Sequence, residues 1–135
     1  MNQVAGLEGT GPEGMALVGD RLYVASLQGW LRVYDVSIPV KPTLVNEIEG
    51  LGNAWDIIED GTGYGYISDS SQGVVTVTLS DTPTIESYVD VGGGVQDIAL
   101  ADGALYAAAG GKGVVVLDRS SPGTPEVVAT LDYLT

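Results

Sequence analysis

Asp56 and Asp97 are the residues best placed by type and spacing to do chemistry. They stand 41 residues apart, each opening an apolar run, Asp-Ile-Ile at 56–58 and Asp-Ile-Ala at 97–99. A hard cation such as Ca2+ takes carboxylate oxygens of this kind, with carbonyls and waters completing its shell. A carboxylate so placed can equally accept hydrogen bonds from backbone amides of a neighbouring repeat unit, or blade. That structural role is the first expectation, and a Ca2+ site at Asp56 and Asp97 is the alternative. Trp55, beside Asp56, is the one sequence pointer to a ligand pocket. No Asp-rich loop of the EF-hand kind is present.

Most of the usual catalytic repertoire is missing. The chain has no His and no Cys, which removes Ser-His-Asp and Cys-His chemistry, imidazole and thiolate metal ligands, and disulfides. The loop serines Ser70, Ser71, Ser120 and Ser121 have no base near them in sequence. The runs Gly92-Gly93-Gly94 and Gly110-Gly111 follow or link strands and open no helix, so they are no phosphate cradle. No catalytic residue is assigned, and the balance leans away from an enzyme. The formal net charge is −13, from 5 basic and 18 acidic residues. The basic residues Arg21, Arg32, Lys41, Lys112 and Arg119 form no cluster, which argues against nucleic acid or an anionic membrane as partner. Such acidity serves solubility first, and a cation or basic partner second. Met1 to Gly6 lacks the basic segment and apolar run of a signal peptide. The longest apolar run falls far short of the ~18 residues of a membrane span.

The elements that must position these carboxylates repeat three times. Leu22 to Ser26 returns as Tyr64 to Ser68 and as Ala104 to Ala108, placing Tyr23, Tyr66 and Tyr106 at offsets of 43 and 40. Leu31 to Asp35, Val74 to Thr78 and Val114 to Asp118 keep the same offsets. A third block starts at Pro42, Pro83 and Pro125. Each repeat holds four short runs rich in Val, Ile, Leu and Tyr, bounded by Gly, Asp, Ser and Pro. The third repeat predicts strands over 97–101, 104–109, 113–118 and 126–132. Asp60-Gly61 and Asp102-Gly103 mark hairpin turns. No helical periodicity competes. A repeated four-stranded meander of about forty residues is the blade of a β-propeller. Asp35 and Asp118 then read as turn residues, and the three tyrosines as packing positions. Trp30 and Trp55 do not recur. Asp56 and Asp97 open the innermost strands of repeats two and three, with Met15 expected in that slot of repeat one.

Two stretches narrow the reading further. Leu31 to Pro39 followed by Pro42, and Val114 to Pro122 followed by Pro125, resemble the LVIVD repeat. The resemblance runs from about Gly14 to Asp132, and the middle repeat departs from it with Thr78 in place of Asp. It implies a propeller fold and a secreted or cell-surface origin, and it carries no catalytic residues.

The fold expected is all-β, a partial β-propeller of three four-stranded antiparallel blades. The divisions expected are an outer strand or latch at 1–13 and blades at 14–53, 54–94 and 95–135. The first division rests on Leu7 to Gly11, which matches Ile48 to Gly52 and so repeats an outermost strand. Propellers close with about four to eight blades, so three leave two faces built for neighbours. Two copies would make six blades and three would make nine. A homodimer is the preferred assembly, a homotrimer the second, and a piece of a longer propeller the remaining alternative. The function expected is a non-catalytic scaffold or binding module for a protein, glycan or small molecule. The other class is a metal-assisted hydrolase or lyase using an acidic channel.

Overall fold

The computed structural model describes residues 11–131, and among these it contains twelve strands and one short 3-10 turn at Gly110–Lys112. Residues 1–10, where most of the expected latch falls, lie outside the described residues. The first sheet is β1 (Pro12–Val18), β2 (Arg21–Ser26), β3 (Trp30–Asp35) and β4 (Thr43–Glu49). The second is β5 (Ala54–Glu59), β6 (Tyr64–Asp69), β7 (Gly73–Thr78) and β8 (Ile85–Val89). The third is β9 (Asp97–Ala101), β10 (Ala104–Ala108), β11 (Val114–Asp118) and β12 (Glu126–Leu131). Each sheet is an antiparallel meander of consecutive strands, the three blades expected from the repeats.

The blades repeat in register as well as in sequence. Tyr23 pairs with Val33, Tyr66 with Thr76 and Tyr106 with Val116. A bulge between the third and fourth strands recurs at Val33/Tyr34, Thr76/Val77 and Val116/Leu117. An extra residue there bends the outer strand and raises its twist, as a radial blade needs. Asp102-Gly103 makes the tight β9–β10 turn, but only Gly103 takes positive φ (79°), as in a type II turn rather than the type I′ form.

Strand alternation gives each blade a forward face, towards the next blade, and a rear face. Tyr23, Ala25, Leu31 and Val33 point forward from blade one onto Ile57, Ile67, Val75 and Val77. Tyr66 and Val74 point forward from blade two onto Ile98, Leu105, Ala107, Val115 and Leu117. These two seams hold most of the core, because a strand packed on both sides removes nearly all of its apolar surface from water. A third cluster, Val24, Trp30 and Tyr34, is buried on the rear face of blade one. The innermost strands approach closest: a Cβ on Gly14 would stand 2.7 Å from Asp56 Cα.

Candidate functional site

Asp56 and Asp97 do occupy equivalent places, one near the start of β5 and one at the start of β9. Asp56 lies opposite Ser68 and Asp97 opposite Ala108. The residue in that register in blade one is Gly14, opposite Ala25, and not Met15, which lies opposite Val24. The expectation slips by one because the equivalent positions of blades one and two, Gly14 and Asp56, stand 42 residues apart, whereas Asp56 and Asp97 stand 41 apart. Trp55 is the inserted residue of β5 and is half-buried.

Neither carboxylate reaches into a neighbouring blade for its hydrogen bond. Asp56 Oδ1 accepts from the Ile57 amide at 2.9 Å, and Asp97 Oδ1 accepts from the Ile98 amide at 3.0 Å. Among the described residues no three acidic side chains come together as a metal site would need. A cleft of about 410 Å³ opens beside Asp97, lined by Gly94, Gln96, Asp97, Ala108 and Gly110. Asp97 and Ala108 are paired and exposed on the forward face of blade three, where no further blade packs. Trp55 Nε1 and Ser68 Oγ, the neighbours of Asp56 in sequence and register, are buried without hydrogen-bond partners, as is Thr76 Oγ1.

The carboxylate most engaged with the backbone is one the repeats do not single out. Asp69 is fully buried at the end of β6. It accepts from the amides of Gly52, Asn53, Ser71 and Gln72 at 2.7 to 3.0 Å. It thereby ties the link between blades one and two to the β6–β7 turn. Its repeat equivalents are Ser26 and Ala109, so no recurrence marks it.

Several polar contacts across the seams come from the loops that follow β7 and β11. At the first seam Arg21 Nε donates to Asp81 Oδ1 at 2.7 Å, and Asn46 Nδ2 donates to Asp81 O at 3.1 Å. At the second, Tyr66 Oη donates to Pro122 O at 2.8 Å and Ser87 Oγ to Gly123 O at 2.9 Å. Arg119 lies 3.5 Å from Asp60, whose side chain has no exposed surface. Burial pushes the Asp60 carboxyl up, but hydrogen bonds from Thr62 and Tyr64 and the Arg119 charge hold it below the usual carboxylate range. Burial raises the Tyr66 hydroxyl. The Ser37 and Ser120 amides depress Asp35 and Asp118, the turn role expected of them.

Residues 13–49 and 92–133, together more than half of the chain, match the LVIVD repeat. The chain belongs to the LVIVD repeat family. The unmatched middle contains Thr78, whose hydroxyl accepts from the Thr84 amide at 2.9 Å where its equivalents are the turn aspartates. No curated protein matches the chain in sequence. Among solved structures it is similar to two computationally designed proteins. With Ika4 it shares 13% identity at a TM-score of 0.72, over 98% of this chain and 81% of that one. With Ika8 it shares 11% identity at a TM-score of 0.72, over 90% of this chain and 36% of that one. The chain thus spans about a third of Ika8, and at these identities the likeness concerns the fold alone.

No helix among the described residues is long and apolar enough to cross a membrane. A repeat propeller-like fold of this kind fits a scaffold or binding module.

Proposed function

We propose that this chain is a non-catalytic LVIVD propeller module that completes its ring with further copies of itself and presents loops and a central opening to a ligand. One observation carries the reading: the forward face of blade three is finished as an inter-blade surface but bears no blade. Tyr106 is the register equivalent of Tyr23 and Tyr66, which are 2% and 0% exposed, yet it is 38% exposed. Ala99 and Ala108 beside it are exposed as well. At the other end the β1 edge of the rear face is open, with Met15 and Leu17 59% and 63% exposed beside the buried Val24, Trp30 and Tyr34. Apolar surfaces of this sort mark interfaces. A head-to-tail contact between one chain's forward face and another's rear face closes if the rotation allows, at six blades for two copies. The solution mass, measured by size-exclusion chromatography with light scattering over a range of concentrations, tests this. A dimer or trimer supports ring completion, and a monomer at every concentration overturns it.

A further inference from the structure

One strand position meets the next blade's loop at both inner seams. It is the first residue of the second strand: Arg21 in β2, Tyr64 in β6 and Ala104 in β10. Arg21 engages Asp81, in the loop between β7 and β8. Tyr64 lies under Gly123, in the loop between β11 and β12, where a Cβ would stand 3.3 Å from the ring. The pairs differ in chemistry but each is complementary, an ion pair in one and a large ring against a glycine in the other. Ala104 is the third case, and in the single chain no following blade supplies its partner.

The loop that would follow it is present at the chain's other end. Residues 35–42, Asp-Val-Ser-Ile-Pro-Val-Lys-Pro, match residues 118–125, Asp-Arg-Ser-Ser-Pro-Gly-Thr-Pro, in length and in their Asp, Ser and Pro positions. The backbones match too. Lys41 N donates to Ile38 O as Thr124 N does to Ser121 O, and Val36 N donates to Asp20 O as Arg119 N does to Gly103 O. Pro39 therefore holds the place of Pro122, and Val40 the place of Gly123. Val40 is 93% exposed and Ile38 58% exposed, although the corresponding loop in blade three is seated on blade two.

Resting on the self-assembly reading, we propose that the 36–42 loop of one copy seats on blade three of another, with Val40 against Ala104 and the Pro39 carbonyl accepting from the Tyr106 hydroxyl. The sizes are exchanged relative to the inner seam. Where Tyr64 crowds anything larger than the glycine opposite it, the small Ala104 leaves room for a valine. A Tyr at 104 would meet Val40 as it could not meet Gly123, because close-packed surfaces do not absorb added volume.

The test is a size swap read as solution mass, with far-UV circular dichroism and Tm confirming that each variant folds. Ala104→Tyr alone is expected to weaken association at least tenfold. Adding Val40→Gly recreates the Tyr64–Gly123 pair and is expected to restore the wild-type mass. Val40→Asp, on a side chain exposed in the single chain, gives an independent break. A wild-type chain that stays monomeric sinks the self-assembly reading itself. A wild-type oligomer indifferent to Ala104→Tyr and Val40→Asp overturns the proposed seat alone. A double variant that regains nothing overturns the Val40–Ala104 pairing.

Discussion

Gly14 rests so near Asp56 that a Cβ on residue 14 would stand 2.7 Å from Asp56 Cα and 2.9 Å from the Ile57 nitrogen. The obstacle is backbone of another blade, which cannot swing aside as a side-chain tip can. Gly14→Ala should therefore push β1 off β5 and destabilise the fold by about 2 to 4 kcal/mol. Gly111, where an added Cβ would meet nothing within 4 Å, is the control. Its alanine variant should stay within about 0.5 kcal/mol of wild type in urea unfolding.

Asp69 holds four amides, and no cation partners it among the described residues. Asp69→Ala takes the acceptor from four part-buried amides, which should cost about 2 to 4 kcal/mol. Asp69→Asn keeps one acceptor oxygen and should lose less. Equal losses for the two, measured by urea unfolding, would contradict the acceptor role.

Acid should loosen the second seam. The Asp60 carboxyl is depressed in the folded chain, so the stability it adds is fully present above its unfolded pKa of about 3.9 and is lost as pH falls through the folded value. Asp35, Asp81 and Asp118 are depressed as well and act in the same direction. The Tm difference between wild type and Asp60→Asn should accordingly shrink as pH is lowered below about 4. A difference that holds constant down to the acid transition contradicts the assignment.

Salt should favour assembly of the ring. Each copy carries a formal charge of −13, so two copies repel, while the proposed seat of Val40 on Ala104 is apolar. Raising NaCl from about 20 mM to about 0.5 M shortens the screening length several-fold and should strengthen association, read by light scattering. Association that weakens instead would mean that ion pairs across the seam dominate it.

Much of the fold was legible because the repeats fix register three times over. The third-repeat strands expected at 97–101, 104–109, 113–118 and 126–132 fall within a residue of β9 to β12. The turn role of Asp35 and Asp118 was legible because an Asx turn is local. What failed was anything set by uneven repeat length or by a neighbour. The slot shared by Asp56 and Asp97 belongs to Gly14 because the spacing between blades one and two differs by a residue from that between blades two and three, which a plain count of 41 misses. Tyr106 carries the pattern of a packing residue, but its exposure depends on a blade that is not there. Asp69 was invisible because its four donors come from two separate segments and its equivalents are Ser and Ala.

The first residue of the second strand also acts as an address. Arg21 pairs with Asp81 and Tyr64 packs under Gly123, so the two inner seams favour different loops. Placing the Asp81 loop over Tyr64 would strip the aspartate of its cation, and placing the Gly123 loop over Arg21 would leave the guanidinium facing a residue with no side chain. Single side chains at each boundary thus favour one loop over the other, and repeats that share a pattern but not a sequence are biased against pairing out of order as they fold.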